Sequence, residues 1–247
     1  MLNFSAAETR YEPYPLVVLR PALDAKDYNE LCDNFPDISL FGPIRGYDYK
    51  LSLSEKFAPD NYHKFIRENK PWNRFHGWLK SDDFIKATVE FLKQKYIDLD
   101  IDKCFETTSQ RVRRMVSGGK IMRAPKLRSR FEFSVLKADG GEVAPHTDTP
   151  KKIITLVQTM IKDGEWDPAI GGGLDVNRAT DAKYAFNWKN NAVPWDKIEV
   201  IDTIPFVPNQ CTVFVKTFNS LHSVRRMTQE GSKALRKTVT IVIERDD

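Results

Sequence analysis

The chain is poor in cysteine, in histidine and in long apolar runs, and each shortage narrows what it can be. Its three cysteines, Cys32, Cys104 and Cys211, stand far apart with no CxxC pair among them. An odd count at wide spacing excludes a disulfide framework and fits a reducing compartment. Each cysteine is expected as a small buried hydrophobe. No stretch reaches membrane-spanning length, so no membrane association is expected. Met1 to Arg10 lacks a basic region followed by an apolar run, so no secretory signal is expected and the protein reads as cytoplasmic. The net charge of +4 is too small to argue for a nucleic-acid partner. Internal repeats and low-complexity segments are absent. Histidine occurs only at His63, His76, His146 and His222, which makes candidate ligands easy to enumerate.

What remains is an ordinary globular composition, 41% hydrophobic and 29% charged, over 247 residues. That length fits one domain with elaborations or two small ones. Helix-like text dominates the first part. Leu16 to Leu19 reads as a strand, and Pro21 to Phe35 as a helix with Leu23, Tyr28, Leu31 and Cys32 on one face. Residues 37–60 read as irregular, with one strand from Tyr49 to Leu53. Pro71 to Ile97 reads as mainly helical, with Ser81 as an N-cap before Asp82 and Asp83. Trp72, Phe75 and Trp78 within it are either substrate-facing or, as aromatics more often are, core.

Arg111 to Arg130 carries eight basic residues and no acid. It reads either as a basic surface for an acidic substrate or as a pair of edge strands guarded by charge. From Phe131 onward short strand-like runs alternate with turn signals at Asp139-Gly140-Gly141, Asp163-Gly164, Gly171-Gly172-Gly173 and Pro208-Asn209. Such punctuation predicts a sandwich or barrel. The division expected is a mixed helical support over 1–110 and a β core over 111–247, packed as a single domain.

Within that core, Val143 to Thr149 contains His146-Thr147-Asp148. On an extended strand, side chains two apart point to the same face, so one short segment can offer a nitrogen and an oxygen to one metal ion. His222 follows the apolar run Cys211 to Thr217. Two imidazoles and one carboxylate make the facial triad of non-haem iron(II) sites, which leaves coordination positions open. Arg236 opens the last strand-like run. Its fork can hold a carboxylate bidentately, and Thr238, two along, would project the same way. Arg225 and Arg226 are the other arginines close to His222.

With H-T-D at His146 to Asp148, G-G-G-L at Gly171 to Leu174, N-S-L-H-S-V at Asn219 to Val224 and R-K-T at Arg236 to Thr238, the chain resembles the iron(II)/2-oxoglutarate-dependent dioxygenases, in particular their prolyl-4-hydroxylase-like branch. The resemblance covers about 128–245 and implies an α+β fold, a double-stranded β-helix (jelly-roll) core of about eight strands with N-terminal helical support. It implies iron(II) held by His146, Asp148 and His222, and 2-oxoglutarate held by Arg236 with Thr238. It also implies dioxygen as co-substrate, with 2-oxoglutarate decarboxylated to succinate as a substrate C–H bond is hydroxylated. Halogenating members lack the carboxylate, so Asp148 favours hydroxylation. The substrate implied is a small molecule or a side chain, with the basic segment tilting towards an anion.

Lys151 and Lys152 lie either at the mouth of such a site or in a solvated loop. Asn177 to Lys197 is a lid, a subunit contact or a surface elaboration. His63 is expected to be exposed and His76 to be a packing residue. The rival readings are a cupin-like metal enzyme that uses no keto acid, and a non-catalytic binding protein on the same fold.

Overall fold

The computed structural model describes residues 1–44, 47–99, 101, 116 and 126–246. Strict alternation builds its centre. In β5 (Leu127–Lys137) and β12 (Leu235–Arg245), paired antiparallel over their full lengths, side chains point alternately to opposite faces of the sheet. On one face the rows are apolar. Leu53 of β4 (Tyr47–Ser54), Phe133 and Val239 form one row, and Phe131, Ile241 and Leu156 of β7 (Lys152–Thr159) form the next. On the other face the rows are polar: Lys50–Leu136–Arg236, Ser52–Ser134–Thr238 and Ser54–Glu132–Thr240.

The apolar face is closed by helices. α2 (Pro59–Glu68), α3 (Lys70–Leu79) and α4 (Asp82–Gln94) pack against β4 and β5, and α1 (Ala25–Asp33) against α3. Trp72 is fully buried there with Phe131 and Phe133, its ring 4.7 Å edge-on from that of Phe133. Phe75 is buried beside it and Trp78 is partly buried against the same cluster, so these aromatics are core. Ser81 caps α4 by accepting from the Phe84 N–H at 3.2 Å, as its position before two aspartates predicts. His76 accepts or donates a 2.8 Å hydrogen bond with the Tyr62 hydroxyl and packs edge-on against Phe131, and His63 is exposed.

The full large sheet runs β1 (Ala7–Arg10), β2 (Leu16–Leu19), β10 (Cys211–Val215), β7, β12, β5, β4 and β3 (Gly42–Ile44). A second sheet runs β6 (Val143–His146), β11 (His222–Val224), β8 (Leu174–Ala179) and β9 (Ile198–Ile204). From β5 to β12 the chain passes back and forth between the two sheets, leaving adjacent strands antiparallel. This is the double-stranded β-helix, with strands and helices from the first hundred residues added to one sheet and one face. The space between the sheets holds an apolar cluster around Tyr14, Leu16, Ile204 and Phe214, and another around Trp166, Phe206 and Met227.

One local expectation is corrected, and two short elements add to the reading. The first helix begins at Ala25, not Pro21. Asp24 caps it, and the backbones of Ala22 and Leu23 are bonded to Asn209 instead of to a helical turn. Residues 59–68 form α2, where Tyr62 and Ile66 are buried and Phe65 packs edge-on against Phe133 at 5.5 Å. His222 to Val224 form a strand of three residues, too short to show a period. Most of the basic stretch Arg111 to Arg130, and Cys104, fall outside the described residues. Lys126, Arg128 and Arg130 are described, and Arg128 pairs with Glu244 at 2.9 Å. Among the described residues no helix is long and apolar enough to cross a membrane.

Candidate metal centre

His222 pairs directly with His146 across the β6–β11 ladder, and the ring centroids are 4.4 Å apart. Each imidazole engages its Nδ1 with the carbonyl two residues earlier, Ala144 at 2.9 Å and Ser220 at 3.0 Å. That contact fixes Nδ1–H as the protonated nitrogen and leaves Nε2 as the free donor. Asp148 lies just beyond β6, and one ligand atom from each of the three residues falls within 4.8 Å of the others. Thr147, between the ligands, turns the opposite way. Its hydroxyl donates to the Asn187 carbonyl at 2.5 Å and accepts from Lys216 at 2.8 Å.

The protonation states suit a cation. Burial pushes the His146 imidazole down to about 3, helped by its neighbour His222, and burial pushes His222 down as well. Burial alone would raise the Asp148 carboxyl, but Lys152, His222 and the hydrogen bonds from Lys152 and Thr155 hold it well below the usual carboxylate range. Neutral imidazoles and an ionised carboxylate are the forms a metal binds. One Asp148 oxygen pairs with the Lys152 ammonium, and the other accepts from the Thr155 hydroxyl at 2.6 Å. Lys152 therefore belongs to strand β7 and to the site, not to a solvated loop.

The triad opens into a cavity of about 120 Å³ that also reaches Ser134, Arg236, Thr238 and Thr240 on the polar face of the large sheet. Arg236 is buried, 6% exposed, and its guanidinium stacks over Phe206 at 4.7 Å. Its Nε donates to the Gly172 carbonyl at 2.5 Å. Burial pushes it down to about 10, and no carboxylate lies within ion-pair reach among the described residues. A buried, unpaired guanidinium is costly unless an anion joins it. Gly172 has φ +78°, and a Cβ there would sit 3.1 Å from both Met227 Sδ and the Trp166 ring, so the triple glycine lets the carbonyl reach Arg236. Thr238, two along from Arg236, lines the same cavity and donates to the Ser134 carbonyl at 3.3 Å. Arg225 instead pairs with Asp175 at 3.0 Å, Arg226 lies over the Tyr49 ring, and both are exposed.

Two further groups escape a motif search. Lys50 reaches the cavity from β4, in the same cross-strand row as Arg236. The only signal for it is the alternation Lys50-Leu51-Ser52-Leu53-Ser54, whose leucines face the helices. Lys216, 9% exposed, donates to Thr147 and to the Asn187 carbonyl and lies over Trp188, and burial pushes its ammonium down to about 8.

Residues 177–197 begin as the end of β8 and then fold against the metal motif. The Val193 N–H donates to the Pro145 carbonyl at 2.8 Å, and Asn187 is buried. Phe186 stacks on Phe218 at 5.1 Å with both rings exposed.

No protein-family model matches the chain, and no curated protein matches it. Solved structures do. The chain is similar to a prolyl-4-hydroxylase from Pseudomonas putida, at 13% identity over 93% of this chain and 92% of that one, with a TM-score of 0.45. It is similar to a prolyl hydroxylase from Trichoplax adhaerens, solved with a hypoxia inducible factor oxygen degradation domain peptide fragment, at 9% identity over 94% and 84%, with a TM-score of 0.48. A non-heme α-ketoglutarate-dependent epimerase from nogalamycin biosynthesis is 13% identical over 93% and 76%, with a TM-score of 0.48.

Proposed function

We propose that this chain is an iron(II)- and 2-oxoglutarate-dependent dioxygenase that hydroxylates a C–H bond. The observation that carries the reading is the convergence of two imidazole nitrogens and one carboxylate on a cavity that also holds a buried, unpaired arginine. His146, Asp148 and His222 are the donor set that suits iron(II) with open positions. Bound there, the iron supplies the redox chemistry in which dioxygen and 2-oxoglutarate give succinate, carbon dioxide and a hydroxylated product.

The protein's own residues do the holding. The Ala144 and Ser220 carbonyls keep the imidazoles oriented, and Thr155 and Lys152 keep the carboxylate ionised and in place. Arg236 takes the far carboxylate of the keto acid as a fork, with the Thr238 hydroxyl beside it. The apolar walls, Leu174 and Phe214 on one side and Leu136 and Val224 on the other, keep bulk water from the cavity.

The test is anaerobic addition of iron(II) and 2-oxoglutarate to the metal-free protein. A visible charge-transfer band, followed by succinate on admitting air, is the expected result. Absence of both would sink the proposal. A band formed equally well by Arg236→Ala would show that Arg236 does not anchor the keto acid, and iron(II) binding with no band in the parent would favour a metal enzyme that needs no keto acid.

A further inference from the structure

A second cavity, about 250 Å³, adjoins the metal site and shares His146 and Lys50 with it. That is below the roughly 300–1,000 Å³ of sites for drug-sized ligands, so it has room for a small molecule. Ile44, Phe57, Val143 and Ala192 give it apolar wall. Three polar groups stand among them, and each lacks a good partner.

Lys50 makes no hydrogen bond or ion pair among the described residues, and burial pushes its ammonium down, with Glu132 the chief opposing influence. Among the described residues Glu132 has one ion-pair partner, Arg130 at 3.7 Å, beyond hydrogen-bond distance. Asn190 presents a buried Oδ1 with no hydrogen-bond partner among the described residues, on a backbone held at φ 63°. A buried donor or acceptor left unmade costs about 1–3 kcal/mol, more when charged, so these three are arranged for something that binds.

Their positions separate the charges. Glu132 lies opposite Ser54, four residues along β4 from Lys50, on the same face of the sheet. With a rise of about 3.3 Å per residue and strands about 4.8 Å apart, the two Cα atoms are roughly 14 Å apart. The long side chains close most of that span and leave a gap for one small molecule. Lys50 lies at one end of the gap and the Glu132 carboxylate at the other. His146 and Asn190 line the same cavity.

We propose that this cavity is the primary-substrate site, and that its substrate is a small zwitterion of the free amino acid class, its carboxylate on Lys50 and its ammonium on Glu132 and the Asn190 Oδ1. This rests on the oxygenase reading. Lys50 is not needed for the keto acid, which has Arg236. A peptide side chain would bring no free charges to satisfy both ends.

The experiment uses the protein loaded with iron(II) and 2-oxoglutarate and the twenty L-amino acids as probes, one at a time. Thermal unfolding is followed under argon and succinate release in air. At least one free amino acid should raise the unfolding temperature by several degrees and succinate release tenfold or more. The carboxamide and N-acetyl forms of that amino acid should do neither. Lys50→Met and Glu132→Gln should each weaken its binding at least tenfold, while the unfolding shift caused by 2-oxoglutarate alone persists. If metal and 2-oxoglutarate bind but no amino acid responds, the inference is overturned and the oxygenase reading stands. Loss of the 2-oxoglutarate shift in Lys50→Met would also overturn it, by assigning Lys50 to the cosubstrate. Failure of metal and 2-oxoglutarate to bind at all would remove the reading beneath it.

Discussion

His146 and His222 are direct cross-strand partners in an antiparallel ladder, with ring centroids 4.4 Å apart and each Nδ1 held by a carbonyl of its own strand. Neither ring can rotate without breaking that contact. His222→Ala should therefore lower metal affinity more than a hundredfold while leaving far-ultraviolet dichroism unchanged. Equilibrium dialysis with iron(II) or manganese(II) measures this. Retained affinity would mean the metal is held elsewhere.

Thr155 lines the cavity and donates to the carboxylate of Asp148 at 2.6 Å. Removing such an orienting hydrogen bond typically costs about 10–100-fold in metal affinity. Thr155→Val, which keeps the shape, should show a loss in that range by the same dialysis, and its affinity for 2-oxoglutarate once metal is saturating should stay near that of the parent.

Arg236 is a buried cation with no counter-charge among the described residues. Replacing it by methionine should raise the unfolding temperature of the protein alone, since an apolar chain of similar length avoids the desolvation cost. The same variant should lose the stabilisation that 2-oxoglutarate confers on the metal-loaded parent. Opposite signs in the two conditions, read by calorimetry, separate a binding role from a structural one.

His76, in the helical layer, has its imidazole pushed down to about 4 by burial, with Lys80 adding to the effect. Its ordinary value is about 6.5, so between pH 6.5 and 4 the unfolded chain binds the proton and the folded chain does not. Stability should fall as pH falls through that window. The contribution is on the order of 1–2 kcal/mol once the water reaching this half-buried ring is allowed for. His76→Gln, whose amide can still meet the Tyr62 hydroxyl, should flatten that part of the curve. Urea unfolding of both proteins from pH 4 to 8 gives the difference.

Much of this site is legible in the residues. His146 and Asp148 are two apart beside a strand, and with so few histidines His222 has little competition as the second imidazole. Arg236 stands at the head of an unmistakable apolar alternation. The glycine run marks a backbone that must approach Arg236 closely. What stays hidden has physical reasons. Lys50 carries no spacing signature, because an inward lysine and a solvated one look alike until the sheet shows which face is covered. Strand β11 is too short to display a period. Helix α2 shows Tyr62, Phe65 and Ile66 to the core, a stripe too brief to stand out from its polar surroundings. The contact of Asn187 with Thr147 joins segments forty residues apart, whose proximity only the folded chain reveals.

The central strands turn one face to the helices and the other to the cavity, residue by residue. Changes at Leu53 are therefore changes to the fold's interior, while changes at Lys50, on the opposite face of the same strand, are changes to what the cavity sees. A descendant of this chain can acquire a new substrate by exchanging side chains on one face of β4 and β5 with the helix-packed face left as it is. The same arrangement makes deletion of a single residue in β4 doubly damaging, because every side chain beyond the deletion would change sides.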